Sequence, residues 1–215
     1  MPRATPLTTP LTMPLMRGLR WSACALLSIT ALPAAAAQAN FEYCTVCHGA
    51  NGNGNIAIHA PKIAGIEPWY LKSQFAAFKA GWRGAHADDA PGNEMRPVAM
   101  ALSDAEVDRA LAYVAGFSPK PPAITVNGDA AHGQALYGAC GVCHGAAGQG
   151  NQSLHAPALA GRTDWYLVTQ LHNYRAGLRG ADAADSSGQQ MRAMAATLAD
   201  DAAVNDVVAY IDTLR

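Results

Sequence analysis

Cys44-Thr-Val-Cys47-His48-Gly49-Ala50 and Cys140-Gly-Val-Cys143-His144-Gly145-Ala146 are nearly the same seven residues, set 96 positions apart. The same offset pairs Asn55 with Asn151, His59 with His155, Pro61 with Pro157 and Gly65 with Gly161. It pairs Trp69-Tyr70-Leu71 with Trp165-Tyr166-Leu167, Gln74 with Gln170, and Arg83-Gly84 with Arg179-Gly180. Met95-Arg96 falls on Met191-Arg192 and Leu102 on Leu198. One inserted residue then shifts the register, so that Tyr113 matches Tyr210. Self-similarity over so long a period describes two homologous domains and not a solenoid.

The seam between the repeats is Ser118-Pro-Lys-Pro-Pro122, which cannot continue a helix and favours extended chain. The expected division is residues 40–118, a linker over 119–123, and residues 124–215. Each half is small for a self-sufficient core, a deficit that a large buried cofactor would remedy. Both halves read as helical, and the fold class is all-α with two tandem domains. Asp129 to Ala139 predicts a first helix that ends at the Cys140 motif, and Asp164 is placed as the N-cap of a helix through Arg175, closed by Gly177. Pro68 suits the first turn of the equivalent helix. Ser103-Asp-Ala-Glu106 is a capping-box pattern that opens a helix with Val107, Leu111 and Val114 on one face. The first repeat has only Asn40 to Tyr43 ahead of its first cysteine if a leader is cut after Ala39. Its first helix is then very short, or the preceding segment supplies it.

Of the 215 residues, 50% are hydrophobic and 14% charged, which argues against a disordered chain and against nucleic acid as a partner. Residues 1–39 carry Arg3, Arg17 and Arg20 but no Asp or Glu, and an apolar run from Trp21 to Leu32 ends at Pro33. That pattern predicts an export signal, with small-residue cleavage sites after Ala37 or Ala39; an uncleaved anchor is the alternative. Without this stretch 12 Lys+Arg face 16 Asp+Glu, a net charge of −4. The mildly acidic remainder gives no reason to expect DNA or an anionic bilayer as partner, while peripheral membrane association stays open.

Cys-x-x-Cys-His is the attachment pattern of c-type haem: two thiols add to the vinyl groups and the following His is held under the iron. Two such motifs in register behind an export signal predict two covalent haem c groups, on Cys44, Cys47 and His48 and on Cys140, Cys143 and His144. Zinc would need four ligands per metal. A thioredoxin-type pair would need a preceding strand. Two structural disulfides would leave the His after each pair unexplained. Met95 or Met100 in the first repeat, and Met191 or Met194 in the second, can supply a thioether on the opposite face of the ring. The offset pairs only Met95 with Met191, so these are the expected ligands and Met100 and Met194 the expected core filler. His59 and His155 are also paired, so a His-His site is the competing reading; it is disfavoured because each lies eleven residues after the motif His and two before a Pro, where the segment tends to stay on the same side of the ring, and a structural or haem-edge role suits them better. His86, His132 and His172 have no mates. Pro61 and Pro157 either direct a carbonyl at the motif His Nδ1 or simply turn the chain. Arg83 and Arg179 either meet haem propionates or are solvated loop charges. Trp69, Tyr70, Trp165 and Tyr166 read as haem-packing or interdomain aromatics.

Taken together, the paired Cys-x-x-Cys-His, the Ala-Pro-x-x-Ala-Gly after it, the Trp-Tyr-Leu and the Met 47 residues beyond each motif His resemble class I cytochromes c. The tandem arrangement is similar to the dihaem cytochrome c4 family over nearly all of the chain beyond residue 39. The resemblance implies two cytochrome c folds about a pseudo-twofold axis, His48 with Met95 and His144 with Met191 as axial ligands, and a periplasmic electron shuttle working toward a terminal oxidase or another redox partner. The curtailed first helix departs from that pattern. An electron-accepting subunit of a periplasmic dehydrogenase is the alternative, with the same haem chemistry and a permanent partner. A dihaem peroxidase would need one iron with a displaceable ligand, which the symmetric Met pair disfavours.

Overall fold

A computed structural model describes residues 41–215, which fall in one compact unit. The expected leader over 1–39 lies outside the described residues. Among these, the regular structure is helical, with two isolated bridges, Asn55 with Ala60 and Asn151 with Ala156, in place of strands. The first repeat supplies α1 (Tyr43–His48), α2 (Pro68–Ala80), α3 (Ala90–Ala101) and α4 (Asp104–Ala115). The second supplies α5 (Ala130–His144), α6 (Asp164–Arg175), α7 (Ser186–Ala195) and α8 (Asp201–Asp212). One 3-10 turn follows each motif, Ile56–Ile58 and Gln152–Leu154.

Local chemistry sets most helix ends. Pro68 opens α2 at its first position, where the missing N–H costs nothing. Ser103 and Glu106 form the reciprocal capping box, with Glu106 Oε2 accepting from Ser103 N at 2.8 Å. Asp129 caps α5 by accepting from Ala131 N and His132 N, and the helix then continues through the motif to His144 instead of ending before it. Asp164 departs from its expected role. It is the first helical residue of α6, Thr163 is the cap position, and the Asp164 carboxylate is used elsewhere. It accepts from the backbone N–H of Thr125 and Val126, the Thr125 hydroxyl (2.8 Å) and its own neighbour Trp165 N (2.7 Å). The side chain therefore pins the segment that enters the second repeat; α6 ends at Arg175 as expected, with Ala176 in the cap position in place of Gly177.

In the second repeat α5 packs along α8, and α6 against α7 and α8; in the first, α2 packs on α3 and α4. The close approach of α5 to α8 is made at Gly133, where a Cβ would fall 1.9 Å from Asp206 O. The core here is Tyr137, Leu198, Val204, Val207, Val208 and Ile211. Each such aliphatic side chain contributes about 1.5–3 kcal/mol by leaving water. The six-residue α1 leaves the first repeat without an equivalent length of helix, but one anchor survives. Phe41 is buried and sits 6.4 Å from the Tyr113 ring, as Tyr137 sits 5.2 Å from Tyr210. Phe41 and Tyr137 occupy the same position of the repeat.

The repeats meet through buried polar groups. Arg83 donates to Gln74 Oε1 (2.9 Å) and the Tyr166 hydroxyl (2.8 Å), and Arg179 to Gln170 Oε1 (2.7 Å) and Gln74 Oε1 (2.9 Å). Each guanidinium stacks on a ring of its own repeat, Arg83 on Phe78 at 4.5 Å and Arg179 on Tyr174 at 4.4 Å. Both arginines are buried, so the solvated-loop expectation is incorrect. Their ring faces and fixed glutamines hold them in the seam because a guanidinium keeps its charge wherever it is placed. Asn173 extends the contact to Asp89 Oδ1 at 3.1 Å.

Candidate haem sites

In each repeat a proline carbonyl just beyond the 3-10 turn fixes the motif histidine. His48 Nδ1 lies 2.7 Å from Pro61 O, and His144 Nδ1 lies 2.7 Å from Pro157 O. A carbonyl can only accept, so Nδ1 carries the proton and the lone pair is left on Nε2, as a metal ligand requires. Burial draws both imidazoles below their ordinary basicity, with the carbonyl contacts partly opposing it, and so favours the neutral ring. Between the two alternatives for Pro61 and Pro157, the structure gives the directed carbonyl.

One cavity of about 500 Å³ reaches both sites. From the first repeat it is lined by Cys44, Cys47, His48 and Met95; from the second by Cys140, Cys143, His144 and Met191. None of these four cysteines is paired in a disulfide among the described residues. Burial raises the Cys44 and Cys140 thiols above their usual pKa. Helix α3 carries Met95 and α7 carries Met191, each half-buried on the cavity wall. Of the unmatched methionines, Met194 also lines the cavity, while Met100 is 56% exposed and fills no core. His59 and His155 take left-handed backbone conformations (φ 53° and 54°) at the ends of the 3-10 turns, and His59 meets the Trp165 ring edge-on at 6.0 Å. Trp165 thus acts across the seam as well as along the cavity wall.

The donor set fits two haem c groups. Each repeat offers a thiol pair, an imidazole with Nε2 free and a thioether around the same apolar cavity. A further fit comes from Arg83 Nε, which is buried with no hydrogen-bond partner among the described residues, while the other contacts of this guanidinium are to neutral groups. A buried cation with an unsatisfied donor suits an anionic group such as a haem propionate. Sequence reasoning missed Lys62, Glu67, Arg162 and Thr163, which gather beside the two histidine loops. No motif marks them, and only the folded seam brings them together.

Comparison with known proteins agrees with this chemistry. The cytochrome c family model matches residues 34–118 and again 130–215. A thiosulfate dehydrogenase electron acceptor from Stutzerimonas stutzeri is 36% identical over 162 residues, covering 70% of this chain and 71% of its own. A cytochrome c4 from Thiocapsa roseopersicina is 37% identical over 167 residues, covering 73% of this chain and 80% of its own. Among solved structures, a thiosulfate dehydrogenase from Marichromatium purpuratum superposes with a TM-score of 0.64 at 30% identity. That match covers 79% of this chain, which spans only 36% of the length of the other. Two covalent haem c groups, no substrate chemistry and an electron-transfer role follow from the paired domains and their relatives: the chain belongs to the cytochrome c family, as a dihaem member of the cytochrome c4 type.

Proposed function

We propose that His48 with Met95, and His144 with Met191, are the axial ligand pairs, with Cys44 and Cys47 holding one haem and Cys140 and Cys143 the other. The observation that carries this reading is the duplication of one arrangement: a motif histidine whose Nδ1 is taken by a proline carbonyl at 2.7 Å, facing a cavity with a methionine on its wall. When bound, haem c supplies a reversible one-electron Fe(III)/Fe(II) couple. The chain's own residues orient the imidazoles, exclude water with Val207, Ile211 and Leu111, and raise the couple through thioether ligation. Two protein ligands on each iron would leave no position for a substrate, and the protein would then act as a carrier. The working division is 40–118 and 124–215 around the 119–123 linker, with 1–39 as an export signal that delivers the chain to the periplasm.

The donor and acceptor are redox proteins. A dehydrogenase as donor is favoured by the relatives named for thiosulfate dehydrogenase, and a terminal oxidase is the natural sink for a carrier with Met-ligated haem. The test is stopped-flow mixing of the oxidised holoprotein with a thiosulfate dehydrogenase and thiosulfate. Reduction of both haems within seconds supports a dehydrogenase as the source. Reduction no faster than in the absence of the enzyme contradicts it.

A further inference from the structure

The peptide group joining Pro157 to Ala158 is bonded at both ends. Its carbonyl accepts the Nδ1 proton of His144 at 2.7 Å, and its N–H donates to Glu67 Oε1 at 2.8 Å. Glu67 comes from the other repeat, where it stands at the cap position of α2. The equivalent peptide, Pro61 to Lys62, accepts from His48 at 2.7 Å and donates to Thr163 Oγ1 at 3.4 Å. Thr163 stands at the cap position of α6 and matches Glu67 at the repeat offset. Each repeat thus braces the histidine loop of the other, but one brace ends in a carboxylate and the other in a neutral hydroxyl at longer range.

The surrounding charges strengthen the difference. Lys62, where the second repeat has Ala158, is buried beside the first loop with Nζ on Lys120 O (2.7 Å) and Gly161 O (3.1 Å). Arg162 pairs with the outer carboxylate oxygen of Glu67, and its Nε donates to Ala158 O at 2.9 Å, leaving Oε1 on the Ala158 N–H. A hydrogen bond to a carboxylate is about twice as strong as a neutral one. A peptide polarised at its N–H carries more negative charge on its carbonyl oxygen, so the next bond in the chain strengthens as well. A stronger Nδ1–H···O bond makes the imidazole a more electron-donating ligand. Greater donation favours Fe(III).

We propose that Glu67 is a tuning residue that acts through the 157–158 peptide on His144 and lowers the potential of the second-repeat haem relative to the first. The neutral Thr163 brace and the Lys62 cation leave the first-repeat haem the higher of the two, so an electron entering the protein settles there. This inference rests on His144 being an axial ligand.

The test is a redox titration of the full-length holoprotein and its Glu67→Gln variant, with the two haems resolved by haem-methyl NMR. At a fixed ambient potential the Fe(II):Fe(III) ratio of the second-repeat haem rises about tenfold in the variant, or about 59 mV for a one-electron couple. The first-repeat haem moves less than twofold. In the reduced state the His144 Nδ1 proton shifts upfield, which loss of packing alone would not produce. The double variant Glu67→Gln/Arg162→Gln keeps the net charge and carries the same prediction, which separates the relay from a change in overall field and serves should the single variant fold poorly. Equal movement of both haems, or an unmoved second haem whose His–Met spectrum is intact, overturns the proposal. A second haem that lacks the Met-ligated spectrum in the unmodified protein overturns the ligand reading instead.

Discussion

At the scale of single residues, ligation depends on which groups face the cavity. Met191→His replaces a thioether with a stronger donor, so the second-repeat haem loses its near-infrared band and shifts to lower potential while the first is unchanged. Optical redox titration reads both effects. Met100 is exposed and away from the cavity, so Met100→Leu leaves both spectra unaltered and changes stability by less than about 0.5 kcal/mol in urea unfolding. The sequence singles out the Cys and His positions because a covalent attachment needs a fixed spacing, and the Met pair because duplication keeps it in register; the fold puts all of them on the wall of one cavity. Glu67, Thr163, Lys62 and Arg162 were not legible, since their neighbours lie about 90–100 positions away in the chain and follow from the seam alone. Met100 was misplaced because apolar character does not say which side of a helix meets the core.

Helix ends and crossings carry the next set of consequences. Gly133→Ala would drive a methyl into the α8 backbone at Asp206 O and is expected to destabilise the second repeat by about 1–3 kcal/mol, measured by urea unfolding. Asp164 gives a pH dependence. Burial pulls its carboxyl up, but the hydrogen bonds from Thr125, Val126 and Trp165 outweigh it and hold the group below the ordinary carboxylate value. A depressed folded pKa stabilises the fold above the unfolded value of about 3.9, and that stability is lost as pH falls through the folded value. Asp164→Asn therefore melts lower at pH 7, and the gap to the unmodified protein closes in acid. The capping box at Ser103 and the proline at the start of α2 were readable because caps are local chemistry. Asp164 reads equally well as a cap, and it differs only because residues 125–126 arrive at it from outside the helix. The shortness of α1 was visible in the sequence, whereas its compensation by Phe41 on Tyr113 appears only once the two repeats are superimposed.

For the whole molecule, the two repeats are locked by a nearly twofold set of Arg, Gln and Tyr contacts, on which an asymmetric charge cluster is superimposed. Arg83→Met takes the donor from the Tyr166 hydroxyl and one of the two donors from Gln74 Oε1, Arg179 remaining as the other, and is expected to cost about 1–3 kcal/mol, with the two repeats then unfolding as separate transitions in calorimetry. A single transition of unchanged midpoint would show that the seam contributes little. Tandem organisation, helical class and haem content were all legible from one duplicated motif; the seam was not, because Arg83 and Arg179 look in sequence like any loop arginine. The most direct test of the central claim is the optical and near-infrared spectrum of the purified protein, oxidised and reduced, with a haem count. The expected result is two haems per chain, both low-spin, both with the weak near-infrared band of methionine-ligated Fe(III), and neither binding carbon monoxide readily. One haem per chain, or a high-spin or bis-histidine centre at either site, would contradict it.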